Sequence, residues 1–298
     1  IVSARRFISQ EKLEDVVGSL ESGADTSWLD DVRKTIGLPD KLFGLMAGFF
    51  PKQFRVETQP SDPGVVLFTS GSFGSPKGVM LSQSNLVSNV RQVATHIELD
   101  PDWVEFNPLP TFHCFGLTGG VLLPLLTGMK AFQYPSPLHA KQIVELLPQV
   151  KASILFATDT FLNHYARVAG PDDFSTLQFV VAGAERVRDE THHLFNTRFG
   201  GLKLLEGYGA TEAAPVVAVN HPDRNRPGSV GQMLPDMEWR VDPVAGIETG
   251  GRLYLRGPNV MAGYISADDP ERLDVLKDGW HDTGDIVDID ADGYVSIL

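Results

Sequence analysis

A layered α/β fold followed by a smaller β-rich, barrel-like portion is what the order of apolar runs predicts for this chain. Three observations carry the prediction. Short apolar runs alternate with amphipathic stretches from residue 63 to about 210, the pattern of strands and helices packed in layers. One run, Val65-Val66-Leu67-Phe68, passes straight into Thr-Ser-Gly-Ser-Phe-Gly-Ser-Pro-Lys-Gly at 69–78, as a buried strand ending in a loop does. Beyond about residue 215 the runs shorten and are punctuated at Gly228, Gly231, Pro235, Gly250-Gly251, Gly257-Pro258 and Gly293, a β-rich signature.

Taken in order, residues 1–62 form part of an N-terminal α/β portion, with Leu13, Val16, Val17 and Leu20 at helical spacing over 11–20. The core spans 63–214. Buried strands are expected at 65–68, 130–134, 153–157, Phe179–Ala182 and 202–205, and helices at Gln83–His96, 141–150 and 189–199. Such alternation implies a largely parallel sheet. The most apolar region, 115–126, contains Gly116, Gly119, Gly120 and Pro124 and reads as a buried helix or strand pair, too short to span a membrane. Residues 215–298 make the β-rich portion.

With 298 residues, 42% hydrophobic and 21% charged, the chain can bury a sizeable core. Its net charge of −13 excludes a broad electrostatic surface for nucleic acid, while leaving room for a local phosphate pocket. Cys114 is the single cysteine, so no internal disulfide forms, which suits a reducing compartment. The chain opens at Ile1 without a leader pattern. It stops at Leu298 after an apparent strand, and is expected to be a piece of a longer protein.

Five stretches carry candidate chemistry. The loop 69–78 offers the hydroxyls of Thr69, Ser70, Ser72 and Ser75, the glycines Gly71, Gly74 and Gly78, and Lys77. Small residues let backbone N–H groups close on an anion, and the lysine adds a point charge. The spacing is not that of the common phosphate loop, and Pro76 argues against the dinucleotide fingerprint. Glu206-Gly207-Tyr208-Gly209-Ala210-Thr211-Glu212 follows a strand, where ligands collect in open α/β sheets. Tyr208 could stack on a base, Thr211 could donate to a phosphate, and Glu212 could hold Mg²⁺; the alternative is a tight turn with an exposed acid. In Trp280-His281-Asp282-Thr283-Gly284-Asp285, an aspartate could accept from ribose hydroxyls or simply be solvated. Phe112-His113-Cys114-Phe115-Gly116 places His113 among aromatics, where packing is the commoner fate. Gly183-Ala184-Glu185 would let a flat ring lie on backbone, or reflect close packing. His192-His193 reads as a surface pair on a helix, since adjacent helical residues diverge.

The order of these stretches, with Gly-Arg-Leu-Tyr-Leu-Arg-Gly-Pro from Gly251 between the last two in sequence, resembles the adenylate-forming superfamily: acyl-CoA synthetases, luciferases and peptide-synthetase adenylation domains. The resemblance covers about residues 63–298. The stretches Tyr134-Pro-Ser-Pro-Leu-His139, 206–217 and Gly257-Pro-Asn-Val-Met-Ala-Gly-Tyr264 look closest to one branch, the acyl-acyl-carrier-protein synthetase half of bifunctional 2-acylglycerophosphoethanolamine acyltransferase/synthetases.

The resemblance implies ATP-dependent activation of a fatty acid to an acyl-adenylate, with Mg²⁺, followed by transfer to a thiol of acyl carrier protein or CoA. It implies that Thr69, Ser70, Gly71, Ser72, Gly74 and Lys77 grip the outer phosphates. Thr211 would touch the α-phosphate and Glu212 the metal, so that Lys77, Thr211 and Glu212 carry the catalytic roles. Tyr208 would stack on adenine beside Gly183, Ala184 and Glu185, and Asp285 would hold the ribose. Phe112, His113, Gly207 and Gly209 would border the acyl pocket. A cytoplasmic location is implied, with the full-length protein peripheral to the inner membrane through regions not present here. Two departures stand out. Phe73 replaces a threonine or glutamate common in the loop, and the small C-terminal domain with its lysine would lie beyond Leu298, so full turnover is not expected of this piece. The competing readings are a ligase for CoA, aryl or amino acids, a non-catalytic nucleotide- or acyl-binding module, and an interaction scaffold.

Overall fold

The computed structural model describes residues 2–3, 27–69, 77–266, 269 and 271–298. The chain divides into two compact units, Ile1–Thr58 and Gln59–Leu298. In the first unit, Val2–Ser3 pairs in parallel with Ser27–Trp28. Helices cover Leu29–Thr35 and Leu38–Phe49. Pro39 lies in the first turn of the second, where no intrahelical N–H is needed, and Asp40 accepts from the Gly37 N–H at 2.7 Å. The helix expected over 11–20 falls outside the described residues.

The strands of the second unit are, in chain order, β1 (Pro63–Thr69), β2 (Lys77–Ser82), β3 (Val104–Asn107), β4 (Lys130–Gln133) and β5 (Ile154–Ala157). There follow β6 (Phe179–Ala182), β7 (Lys203–Gly209), β8 (Val216–Val219), β9 (Gln232–Met233) and β10 (Glu238–Asp242). The last are β11 (Gly251–Arg256), β12 (Gly263–Ser266), β13 (Leu273–Val275), β14 (His281–Ile289) and β15 (Val295–Ile297). The helices are α1 (Gln83–His96), α2 (Cys114–Leu117), α3 (Leu123–Thr127), α4 (Ala140–Gln149), α5 (Asp159–Val168) and α6 (Asp189–Arg198).

A seven-stranded sheet in the order β9-β8-β7-β6-β5-β3-β4 forms the centre. Strands β3 to β7 run parallel, and β8 and β9 add antiparallel. Every residue of β5 and β6 is buried, because both faces are covered. On one face Leu155, Val180 and Leu204 pack with Leu147, Leu162 and Phe195 from α4, α5 and α6. On the other, Ile154, Phe156 and Val181 join Val90 of α1 and Leu123 of α3. The strands expected at 130–134, 153–157, Phe179–Ala182 and 202–205 and the three expected helices lie within a few residues of these elements. Strands β2 and β3 and helix α5 carry no expectation from sequence.

The apolar run 65–68 belongs elsewhere. It lies in β1, the edge of an antiparallel four-stranded sheet ordered β13-β12-β2-β1. Its Phe68 is 74% exposed, which corrects the expectation of a buried strand among the parallel ones. An edge strand with one covered face keeps only alternate residues inside. The register pairs Thr69 with Lys77, so the phosphate-loop candidate connects two antiparallel strands and not a strand and a helix. Ser70, Gly71, Ser72, Phe73, Gly74, Ser75 and Pro76 lie outside the described residues.

The 115–126 region is helical, with a π-helical turn at Thr118–Leu122 between α2 and α3. Gly120 permits it: a Cβ there would sit 2.0 Å from the Asn107 amide. Among the described residues, the strands beyond residue 215 are shared among all three sheets of this unit. β8 and β9 extend the central one, β12 and β13 complete the sheet of β1 and β2, and β10-β11-β14-β15 form the third. Among the described residues no helix is long and apolar enough to cross a membrane.

Candidate functional site

The carboxyl ends of β6 and β7 border a cavity of about 300 Å³ lined by Ala184, Glu185, Gly207, Tyr208 and Asp285, among others. The parallel sheet sets Ala184, Glu185, Gly207 and Tyr208 side by side at the end where α/β folds bind ligands, and β14 of the third sheet adds Asp285 from about a hundred positions further along the chain. Ala184 adopts a left-handed φ of 66°, exposing backbone where a larger side chain would be strained. The Glu185 carboxylate turns to the first turn of α5, accepting from the Thr160 N–H at 3.0 Å and its hydroxyl at 2.8 Å. Thus Glu185 borders the cavity while its acid anchors the loop. Gly209 ends β7 against Pro215, whose carbonyl oxygen would lie 2.2 Å from any Cβ.

Tyr208 donates its hydroxyl to Asp285, which comes from β14. Burial, then this hydrogen bond, pushes the phenol well above its ordinary pKa, so it stays a neutral donor. Asp285 is itself set by its N–H donating to the Thr283 hydroxyl at 3.1 Å. Glu206 also lines the cavity. Its Oε1 accepts from the Gly228 N–H at 3.0 Å and meets His192 Nε2 at 2.9 Å. The surface reading therefore holds for His193, which is exposed, and is corrected for His192, whose side chain is 16% exposed. The helix turns His192 toward Glu206 of β7, on the side that also carries the buried Phe195.

Lys77, Thr211 and Glu212 form a neighbouring group. Thr211 and Glu212 lie in the single turn Thr211–Ala213. The Thr211 hydroxyl lies 3.4 Å from Cys114 Sγ. Burial raises the Cys114 thiol pKa, and the thiol is neutral in that contact. Tyr264 of β12 donates to Glu212 Oε1 at 2.7 Å, and its ring centroid lies 5.0 Å from Lys77 Nζ. His281 is buried nearby, its pKa lowered by burial against the pull of Glu212, Asp282 and Asp285. Among the described residues no group of three or more His, Cys, Asp or Glu side chains could cage a metal ion. A lone Glu212 fits Mg²⁺ held by one carboxylate together with substrate phosphates.

Two small apolar cavities lie beyond the larger one, the first sharing Gly207 and Gly209 with it. The first, about 60 Å³, touches His113, Phe115, Gly183, Gly207 and Gly209. The second, about 50 Å³, is lined by Val93, Ile97, Phe115, Gly119 and Phe156. Phe115 borders both. His113 caps α2, its ring Nδ1 accepting from the Phe115 N–H at 3.3 Å. Burial lowers its pKa, keeping the imidazole neutral. Phe112 is 81% exposed and lines none of the three cavities; the structure does not bring it to the site. Thr69 closes β1 opposite Lys77. Glu206 and Tyr264 are additions to the residues expected at the site, although Glu206 stands inside the stretch 206–212 and Tyr264 ends the stretch 257–264.

The family model for AMP-binding enzymes matches residues 4–265. A long-chain-fatty-acid–CoA ligase of Yersinia pestis is 34% identical over 251 residues, covering 80% of this chain and 44% of that protein. The mitochondrial medium-chain acyl-CoA ligase ACSF2 of Mus musculus is 29% identical over 80% of this chain and 41% of its own length. The chain thus spans less than half of these relatives. Among solved structures, ATP-bound MatB from Rhodopseudomonas palustris superposes with a TM-score of 0.72 at 30% identity, covering 82% of this chain and 49% of that one. A malonyl-CoA ligase with methylmalonyl-CoA and AMP bound gives the same TM-score at 27% identity over 82% of this chain and 54% of its own.

Proposed function

The chain belongs to the AMP-binding enzyme family, and we propose that it supplies the nucleotide- and acyl-binding core of a ligase that activates a fatty acid with ATP and passes it to a thiol. The observation that carries this reading is that a cavity lined by Glu185, Tyr208 and Asp285 shares Gly207 with one apolar cavity, which in turn shares Phe115 with a second. Such a site accepts a nucleotide and an apolar chain that meet at one point.

In this reading a carboxylate oxygen of the fatty acid attacks the α-phosphorus of ATP, the bond to the bridging oxygen breaks, and pyrophosphate leaves. The acyl-adenylate then loses AMP as a thiolate sulfur attacks its carbonyl carbon. No nucleophilic side chain is needed. Tyr208 faces adenine and Asp285 receives ribose hydroxyls, on the wall they share with Ala184. Thr211 directs its hydroxyl to the α-phosphate, and Lys77, with the loop from Thr69, meets the outer phosphates. Glu212 would hold Mg²⁺, which when bound screens the charge between the two anions. Neutral His113 at the mouth of the apolar cavity adds a hydrogen-bonding group without a charge that would trap the carboxylate. Positioning supplies much of the rate.

The acceptor we propose is the thiol of acyl carrier protein, supported by the sequence stretches 134–139, 206–217 and 257–264. CoA is the second reading, supported by the relatives named as CoA ligases. Contact of the whole protein with the inner membrane surface belongs to the first reading. The test titrates a long-chain acyl-sulfamoyl adenosine against the melting temperature, since a ligand of the folded state raises it. The expected result is a saturable rise, smaller with an aryl analogue and lost in Asp285→Ala. No rise with any analogue sinks the site assignment. With the full-length protein, product formation on acyl carrier protein against CoA decides the acceptor.

A further inference from the structure

Tyr264 makes two contacts with the charged groups of the phosphate side, and they are of opposite kind. Its hydroxyl donates to the Glu212 carboxylate at 2.7 Å, while its ring faces the Lys77 ammonium at 5.0 Å. The strands explain how. β12 pairs antiparallel with β2, setting Tyr264 opposite Val79 and Ser266 opposite Lys77. On these paired strands the ring reaches the lysine diagonally, a distance open to aromatic side chains. The main chain fixes the other partner, since the Met261 N–H donates to the Glu212 carbonyl at 2.7 Å. Among the described residues no ion pair joins Lys77 to Glu212.

We propose that Tyr264 is a positioning residue that holds the cation and the carboxylate of the phosphate site apart and aimed, each through a contact weaker than an ion pair. A direct Lys77–Glu212 pair would neutralise both groups before the nucleotide arrived. The ring attracts the ammonium through its quadrupole, a bond that phosphate oxygens outcompete. The phenol occupies one carboxylate oxygen and leaves the other for Mg²⁺, as groups behind metal ligands do.

The inference rests on the ligase reading, and the test separates the two. ATP and AMP binding to this chain are measured by calorimetry across a Mg²⁺ titration for the wild type, Tyr264→Phe and Tyr264→Leu. Tyr264→Phe keeps the ring and loses the donor. The Mg²⁺ needed for half-maximal ATP binding should rise about tenfold, the low end for losing a partner behind a metal ligand. Its ATP affinity at saturating Mg²⁺ should equal that of the wild type. Tyr264→Leu should in addition weaken ATP at saturating Mg²⁺ and leave AMP unchanged, because AMP lacks the outer phosphates. AMP binding therefore reports that each variant is folded. An unchanged Mg²⁺ midpoint in Tyr264→Phe, or equal losses of ATP and AMP in Tyr264→Leu, overturns the proposal. A wild type that binds neither nucleotide overturns the ligase reading itself.

Discussion

At Lys77 one charge is set to distinguish two nucleotides. The lysine begins β2 opposite Thr69 and rests on the Tyr264 ring. Replacing it with alanine should weaken ATP by about 1.5–3 kcal/mol, the worth of a charged hydrogen bond, and spare AMP. Competition titrations with both nucleotides check this, and equal losses would move Lys77 away from the outer phosphates. Lys77, Tyr208, Thr211, Glu212 and Asp285 stand out in the sequence as candidates because each sits in a short local pattern of small residues, hydroxyls and charge. Their partners do not. Tyr264 lies 52 residues from Glu212, and His192 lies 14 from Glu206. A signal for His192 existed: it stands three residues before Phe195 on one face of α6, and Phe195 is buried. For Glu206 the equivalent sign is its place directly after the mostly apolar run 202–205 and before Gly207.

Among the elements, α1 ties the central sheet to the chain beyond residue 215. Ser82 caps its start by accepting from the Asn85 N–H at 3.1 Å. One face then carries the amides of Asn85, Asn89 and Gln92, all buried. Asn85 donates to the carbonyls of Pro258 and Val260, Gln92 to that of Pro235, each at 2.8 Å. Asn89 bonds both polar groups of the Val216 backbone, receiving its N–H at 3.0 Å and donating to its carbonyl at 2.8 Å. Asn89→Leu leaves that N–H buried without its partner and should cost about 1–3 kcal/mol. Urea unfolding should show a lower midpoint at unchanged slope; an unmoved midpoint would mean that the Val216 N–H finds another acceptor. The helix itself was legible, since its apolar spacing is local. The placement of 65–68 was not. Four apolar residues in a row do not tell a central strand from an edge strand, and only the pairing of β1 with β2 resolves it.

Across the whole molecule, buried ionisable groups give stability two opposing dependences on pH. His96, His113 and His281 stand on different elements, and burial lowers the pKa of each. The unfolded chain takes up these protons first, near pH 6.5, so stability falls as pH drops below about that value. Glu105 in β3 acts the other way. Both its carboxyl oxygens are buried with no hydrogen-bond partner among the described residues, and burial raises its pKa well above the carboxylate range. It stays protonated when folded, whereas the unfolded chain ionises it above about pH 4.3, so rising pH removes stability until the folded group also ionises. Glu105→Gln abolishes this second slope and keeps the first. The melting temperature of the variant relative to the wild type should therefore climb steadily from pH 5 to pH 8. An amide in the same place has unmet hydrogen bonds of its own, but that cost does not vary with pH. The slope of the difference is thus the readout, and a constant difference across the range would show that Glu105 is ionised in the folded protein, with a partner that neutralises it.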